Sequence, residues 1–205
     1  MPTSGAVASR GRGRGVDVRI GPGRGRRRRI PLSVMEWTGA RYADAPTVEL
    51  TIWIDSSAEH VWGVVTALEG LPALSDELQA IEWCDGATTP EVGARFVGHS
   101  EHTAIGTWST TSTIVECAAP TALAWAVGDP DDPAAVWRFS LERVDGGTWL
   151  TYRAQLGPGR SGLTPAIEKM PDKEQQIVFG RLREFEAGIS RTLSGIKERA
   201  EAICG

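Results

Sequence analysis

Hydrophobic and polar residues alternate along Thr47–Ile54, with four aliphatic side chains on one face of the segment. This period of two predicts a half-buried β-strand. Ser56 and Glu59 follow at the spacing of a capping box, which predicts a helix that begins there and runs to about Leu68. A second, shorter helical turn is expected over Ala73–Leu78.

Between about residue 79 and residue 156, short alternating segments recur with turn signals between them. The predicted strands are Ile81–Cys84, Ala94–His99, Thr107–Cys117, Ala122–Val127, Ala135–Val144 and Thr148–Leu156. Asp145-Gly146-Gly147 is a strong hairpin signal. Because no helical pattern separates these strands, parallel βαβ units are excluded and an antiparallel sheet is expected.

The clearest periodicity lies in Asp172–Ile203, where apolar residues recur every three or four positions. This spacing predicts one amphipathic helix, about 45 Å long at 1.5 Å per residue. A Gly/Pro-rich loop precedes it, in which Thr164-Pro165 is expected to start a single helical turn. The order of elements predicts an α+β fold with the long C-terminal helix covering the concave face of a curved antiparallel sheet.

Charge is distributed unevenly along the 205 residues, whose formal net charge is −4. Residues 1–34 carry nine arginines and one acid, Asp17, whereas the rest of the chain has a balance of −12. The N-terminal segment holds too few apolar residues to form a core, so we expect a disordered Arg/Gly-rich tail over 1–34 and one domain over 46–204. Three readings of the tail stay open: a start assigned too far upstream of Met35, a nucleic-acid-binding arm, or a tail without a partner.

Several classes of protein are disfavoured by what the chain lacks. No apolar stretch is long enough for a transmembrane helix, and the arginine-rich start has no hydrophobic segment typical of a secretory signal. Cys84, Cys117 and Cys204 are too widely spaced for a metal pair or a disulfide framework. The sequence therefore predicts a cytoplasmic protein with free thiols and no cofactor.

The order of elements resembles the helix-grip fold of the SRPBCC superfamily, also called START/Bet v 1-like, and its polyketide cyclase/dehydrase-like branch. The matching segments are 48–54 with Ser56-Ser-Ala-Glu-His-Val-Trp62, Gly93-Ala-Arg-Phe96, Thr107-Trp-Ser-Thr-Thr111, Ala124-Trp-Ala-Val127, Trp137-Arg-Phe139, Gly146-Gly-Thr148 and Leu193-Ser-Gly-Ile-Lys-Glu-Arg-Ala200. The resemblance covers about residues 46–203 and rests on structural rather than catalytic motifs. It implies a hydrophobic ligand held between the sheet and the C-terminal helix.

The eight tryptophans are the most unusual feature of the composition. Strand alternation and helix periodicity place one set of aromatic, apolar and hydroxyl side chains on the faces that meet. The candidate ligand-binding residues are Phe96, Trp108, Thr110, Trp125, Trp137, Phe139, Tyr152, Leu182, Phe185 and Ile189. Alternation alone slightly favours a solid aromatic core, whereas the resemblance favours a cavity.

Other candidate chemistry is weak. His99 and His102 are expected at an exposed hairpin tip, and too few further ligands exist for a zinc site. The run from Gly157 to Gly162 matches G-x-G-x-x-G but follows an antiparallel strand and contains Pro158, so a dinucleotide site is rejected.

Three functions are therefore carried forward, in this order. The first is binding, or transport, of a hydrophobic small molecule or lipid. The second is a polyketide cyclase, aromatase or dehydratase activity in the same cavity, with Tyr152 as the candidate acid–base residue. The weakest is nucleic-acid binding by the tail. No catalytic residue is assigned.

Overall fold

A computed structural model describes residues 36–202 as seven β-strands and three α-helices, joined by short loops and 3₁₀ turns. The strands are β1 (Thr47–Ile54), β2 (Leu78–Trp83), β3 (Arg95–His102), β4 (Gly106–Ala118), β5 (Ala122–Asp129), β6 (Asp132–Val144) and β7 (Gly147–Leu156). The helices are α1 (Ala58–Thr66), α2 (Thr164–Lys169) and α3 (Glu174–Ala202). The tail predicted over 1–34 lies outside the described residues.

All seven strands form one antiparallel sheet in the order β1-β7-β6-β5-β4-β3-β2. Each strand from β2 to β7 pairs with its neighbour in sequence, and β1 closes the order by pairing with β7 from Thr47↔Gln155 to Ile54↔Thr148. β1 and β2 are therefore the two edges of the sheet. This architecture confirms the predicted α+β helix-grip fold.

α3 covers the inner face of the sheet and packs most closely along β1 and β7. Its apolar stripe is buried as the periodicity predicts, and its residues are Val178, Leu182, Phe185, Ile189, Leu193, Ile196 and Ala200. Every second residue of β1 is also buried, from Val48 to Ile54, and the same alternation runs through β7. Burying a large aliphatic or aromatic side chain contributes roughly 1.5–3 kcal/mol, so this contact provides much of the stability of the domain.

Three local predictions are wrong. Ser57 rather than Ser56 is the N-cap of α1, because the Ser57 Oγ accepts the His60 amide at 3.3 Å. The helical turn expected over Ala73–Leu78 is a 3₁₀ turn at 72–74, after which Leu78 begins β2.

The third wrong prediction places His99 at a hairpin tip. His99 lies within β3, whereas His102 is the last residue of β3 and borders the turn at 103–105 that joins β3 to β4. The second half of this strand consists of polar residues, so the sequence gives no hydrophobic alternation that would indicate its full length.

One end of the sheet gathers the N-terminus of α3, the turns at 103–105 and 130–131, and the loop 157–173; we call it the loop end. Tyr42 ties this end together, since its hydroxyl lies 2.9 Å from Ala134 O and 2.8 Å from Gly159 O. Its backbone amide also donates to Glu174 at the start of α3. The opposite end of the sheet holds α1 and the β6–β7 turn.

None of the helices described between residues 36 and 202 has the length and hydropathy that a membrane span requires.

We predict that Gly147→Ala destabilises the domain by about 1–3 kcal/mol, because overpacking forces neighbouring groups apart. A Cβ at Gly147 would lie 2.3 Å from the Ile54 carbonyl oxygen and 3.0 Å from the Trp53 ring. Gly188→Ala in α3 is the matched control, since no atom lies within 4 Å of its Cβ position. Urea unfolding should give Gly188→Ala a free energy of unfolding equal to or above that of the wild type; equal stability of the two variants would contradict the prediction.

Candidate functional site

A continuous cluster of aromatic rings lies between the sheet and the N-terminal half of α3. Its members are Phe96, Trp125, Trp137, Phe139, Tyr152 and Phe185. Five of them come from β3, β5, β6 and β7, where strand alternation turns them to the inner face. The sixth, Phe185, projects from α3.

The rings of this cluster are in mutual contact. Phe139 and Tyr152 are cross-strand neighbours and stack with centroids 4.1 Å apart at an interplanar angle of 19°. Trp137 bridges the sheet and the helix, with its centroid 5.3 Å from Tyr152 and 4.8 Å from Phe185. Trp125 is tilted against Phe139 at 5.9 Å. Such tilted and offset pairs are the geometries that aromatic rings prefer.

The other four candidate residues lie around the cluster. Leu182 and Ile189 are buried on α3 and belong to the same hydrophobic core. Trp108 and Thr110 lie near the start of β4, on its inner face, and are only half-buried. Trp108 also lines a surface groove of about 420 Å³ with residues of β3 and β4. The ten candidates therefore lie on the inner face of the sheet and on the side of α3 that packs against it. Their contact with a ligand stays a prediction.

Several polar groups in this apolar region have no hydrogen-bond partner among the described residues. They are the indole N–H groups of Trp125 and Trp137, the hydroxyl of Tyr152 and the hydroxyl of Ser112. Trp125, Tyr152 and Ser112 are largely buried, with exposed fractions of 6%, 7% and 3%. Among the described residues, the unpaired side-chain atoms that are fully enclosed are Ser56 Oγ, His60 Nε2 and His99 Nε2. The unpaired groups of the ring cluster are not among them, so a water-sized molecule reaches these groups.

Burial raises the pKa of the Tyr152 phenol far above its ordinary value. An apolar environment disfavours the charged phenolate, and no cation lies close enough to compensate among the described residues. At neutral pH the Tyr152 hydroxyl is therefore a hydrogen-bond donor and not a base.

Two residues that adjoin the cluster are not among the ten candidates predicted from the sequence. Trp83 on β2 contacts Phe96 with centroids 5.7 Å apart. Ser112 lies on the inner face of β4, opposite Phe96 and Val127. Both follow from strand alternation, since Trp83 shares a face with Ile81, and Ser112 with Trp108 and Thr110.

A charged cluster also borders the rings and was not predicted. The Arg181 guanidinium lies 4.4 Å from the centre of the Phe185 ring and forms a bidentate ion pair with Glu77 at 2.6 and 2.7 Å. Glu184 accepts a further hydrogen bond from Arg181 at 2.9 Å and lies 3.7 Å from His102 Nε2. Burial alone lowers the pKa of Arg181, but the hydrogen bonds to Glu77 and Glu184 raise it above its ordinary value. The paired Arg181 guanidinium thus packs against the Phe185 ring.

His99 forms a separate polar contact on the outer face of the sheet. Its Nδ1 lies 2.8 Å from Ser109 Oγ, and its Nε2 lies 3.6 Å from Glu82. Within residues 36–202, no group of three or more histidine, cysteine, aspartate or glutamate side chains is arranged to hold a metal ion.

A larger groove of about 880 Å³ lies at the opposite end from the loop end, between α1, the β6–β7 turn and the C-terminal turns of α3. Its two cations are already paired, Arg143 with Glu59 and Lys197 with Glu201. Lys197 Nζ also donates to the Trp53 carbonyl at 2.8 Å. This groove therefore offers no unpaired cation to a ligand among the described residues, although the carboxylate of Asp55 also lines it.

Comparison with known families places residues 45–184 within one family, described as polyketide cyclase / dehydrase and lipid transport. Comparison with the curated proteins finds no match. The family match covers more than half of the chain and includes every strand of the sheet and the start of α3.

Solved structures share the fold. A polyketide cyclase-like protein of Corynebacterium glutamicum is 25% identical, with a TM-score of 0.57 over 77% of this chain and 93% of its own. The ZhuI aromatase/cyclase of Streptomyces sp. R1128 is 17% identical, with a TM-score of 0.56 over 78% of this chain and 98% of its own. The di-domain aromatase/cyclase of the steffimycin pathway is 13% identical, with a TM-score of 0.61, and this chain spans 51% of it.

We predict that the free energy of unfolding falls as the pH rises above about 10, the ordinary pKa of tyrosine. Burial raises the folded-state pKa of both tyrosines, so their contribution is fully present below the unfolded-state pKa and is lost as the pH rises toward the folded-state pKa. Tyr152→Phe should reduce this slope by up to about 1.4 kcal/mol per pH unit, measured by urea unfolding between pH 9 and 11. An unchanged slope would show that the Tyr152 phenol titrates normally in the folded state.

Proposed function

The chain belongs to the polyketide cyclase/dehydrase and lipid transport family, and on that basis we propose that it binds a hydrophobic small molecule or lipid between the sheet and α3. The proposed site comprises the ring cluster with its flanking residues Leu182, Ile189, Trp108 and Thr110.

The observation that carries this proposal is the set of unpaired donors in the ring cluster. Indole N–H and phenol groups within an apolar region almost always have a hydrogen-bond partner. Trp125, Trp137 and Tyr152 each present such a donor without a protein partner among residues 36–202, and none of the three is among the fully enclosed unpaired atoms, so a ligand atom can reach them. A solid aromatic core would gain nothing from these groups, whereas a ligand with oxygen acceptors would satisfy them.

The same groups indicate which kind of ligand fits. Aromatic side chains of the site such as Trp137, which is half-buried and contacts Phe185, favour a planar apolar molecule. The charged side chain that touches the cluster, Arg181, is already bound to Glu77 and Glu184, so a charged head group finds no counter-ion there. We therefore propose an uncharged, largely apolar ligand that carries one or more carbonyl or hydroxyl oxygens. Burying roughly 300 Å² of it would contribute about 7 kcal/mol before entropy costs.

Half-buried residues suggest the entry path. Trp108, Thr110 and Trp137 are the less buried members of the proposed site. The first two lie near the start of β4, next to the turn at 103–105 and thus at the loop end. We propose that the ligand enters between this turn and the loop 157–173, and that the Trp137 ring moves to admit it.

Two matched probes test the proposal: fluorenone, which carries a carbonyl acceptor, and fluorene, which has the same ring system without it. We predict that the wild-type protein binds fluorenone more tightly than fluorene. Tyr152→Phe should lower the ratio of the two affinities about fivefold to tenfold, which is the contribution of one neutral hydrogen bond. Tryptophan fluorescence titration measures both affinities.

Trp137→Ala and Trp149→Ala supply the control pair, because Trp149 is half-buried on the outer face of the sheet, opposite Trp53. We expect Trp137→Ala to weaken both probes and Trp149→Ala to weaken neither. Equal effects of the two variants would argue against a site at the ring cluster. Mass spectrometry of extracts from the purified protein would then identify the natural ligand.

A second candidate function is catalysis on a polyketide at the same proposed site. Two of the solved structures that share the fold are aromatase/cyclases, and a site that folds a reactive chain accelerates ring closure by proximity. Tyr152 supplies a neutral hydroxyl that can donate a hydrogen bond to a developing enolate oxygen.

Turnover of a poly-β-keto substrate distinguishes catalysis from binding. If the chain is an enzyme, Tyr152→Phe should lower kcat by at least about tenfold while Trp149→Ala leaves it unchanged. Undiminished turnover in Tyr152→Phe would remove this hydroxyl from the mechanism, and absence of turnover in the wild type would leave binding as the function.

A further inference from the structure

His102 lies between the β3–β4 turn and α3, beside the proposed ligand entry path. It is the last residue of β3, and strand alternation turns its side chain to the inner face of the sheet, toward the helix. The side chain is largely buried, with an exposed fraction of 25%. Histidine is the side chain whose charge ordinarily changes between pH 5 and 8, so a change of charge at this position acts on the elements that border the path.

Both ring nitrogens of His102 have neighbours, and the two contacts depend differently on protonation. Nδ1 accepts the backbone amide of Ala104 at 3.2 Å, which is possible only while this nitrogen carries no proton. The proton of the neutral ring is therefore on Nε2, which lies 3.7 Å from a carboxylate oxygen of Glu184 on α3. This distance is too long for a hydrogen bond, so the neutral ring binds the turn and only approaches the helix.

Protonation reverses this preference. Both nitrogens of an imidazolium are donors, so Nδ1 can no longer accept the Ala104 amide, and the turn loses that hydrogen bond. The turn keeps the hydrogen bond from the Ile105 amide to the His102 carbonyl, at 3.1 Å. At the same time the positive ring attracts the Glu184 carboxylate, and an ion pair between them would join the end of β3 to α3.

A short chain of ion pairs fixes the position of Glu184. Arg181 donates to it at 2.9 Å and is itself bound at 2.6 and 2.7 Å by Glu77, which lies just before β2. These three side chains together carry one negative charge, which a protonated His102 would neutralise. Glu184 is therefore a carboxylate that is anchored on the helix and attracts a further cation.

The other elements packed against His102 offer no competing partner. Glu101, its neighbour on β3, points to the outer face of the sheet. The turn at 103–105 and the facing residue of β4, Gly106, carry no titratable side chain. Within residues 36–202, no charged side chain of the loop 157–173 forms an ion pair with His102. Glu184 is thus the charged group that a protonated His102 meets.

We propose that His102 is a pH-sensitive switch that controls ligand exchange at the proposed site. When His102 is neutral, no ion pair holds the β3–β4 hairpin to α3, and the path between the turn at 103–105 and the loop 157–173 admits a ligand. When His102 is protonated, the ion pair with Glu184 holds the hairpin against the helix that follows this loop, and the path narrows. The effect on exchange rests on the proposed function, whereas the change at the turn can be observed without a ligand.

Stopped-flow tryptophan fluorescence with fluorenone tests the effect on exchange, because fluorenone has no titratable group. We expect association and dissociation both to be about threefold slower at pH 5.5 than at pH 8.0, within the range of one partly exposed ion pair. His102→Gln and Glu184→Gln should each remove this pH dependence, since either substitution removes the ion pair. His99→Gln is the matched control and should keep the dependence, because this histidine lies on the same strand but on the outer face.

NMR tests the switch itself without a ligand, and circular dichroism confirms that each variant is folded. The amide proton of Ala104 should shift as His102 is protonated, because it loses its acceptor, and should not shift over the same pH range in His102→Gln. The proposal is overturned if the Ala104 amide does not follow the titration of His102, if the wild-type rates are equal at the two pH values, or if His102→Gln keeps the pH dependence. A wild type that binds no fluorenone at either pH would overturn the proposed function, and the Ala104 titration would then decide on the switch alone.

Discussion

Burial of the apolar stripe of α3 against β1 and β7 is the contact on which the rest of the structure depends. The helix lies closest to one side of the curved sheet. The N-terminal half of the helix lies farther from the central strands, and aromatic side chains bridge this distance, as Trp137 does with Phe185. The ring cluster is thus a consequence of where the helix lies, and the helix in turn is held from its other side by Arg181, Thr192 and Arg199.

The ring cluster combines apolar packing with polar groups that have no protein partner, and only the packing contributes to stability. Stacking of Phe139 on Tyr152 stabilises the domain, whereas the donors of Tyr152, Trp125 and Trp137 form no hydrogen bond with the described residues. A protein selected only for stability would replace such donors with phenylalanine or leucine. Keeping them is understandable if a ligand supplies the missing acceptors, and the ligand then stabilises the fold by mass action.

Much of the fold could be predicted from the sequence because its signals are local and periodic. The stripe from Val178 to Ala200 and the alternation of β1 each have one interpretation, and Asp145-Gly146 marks a turn that the structure confirms. The error at His99 has a physical cause, since this part of β3 is polar on both faces and gives no periodic hydrophobic signal.

The candidate site was only partly accessible to such reasoning. Alternation identifies which residues face inward, and it placed the six rings on the faces that meet. It does not report distances between strands and helix, so the contact of Trp137 with Phe185 needed the structure. The ion pair of Arg181 with Glu77 joins residues 104 positions apart, and no sequence spacing encodes it.

The last turns of α3 have a role that extends beyond the single molecule. β1 is an edge strand, and its outer backbone groups could pair with a strand of a second copy. Lys197 occupies the Trp53 carbonyl, and Glu201 accepts the amide of Asp55 just beyond the strand. The helix that covers the core therefore also blocks the end of this edge with a charged side chain, which protects the folded chain against edge-to-edge aggregation.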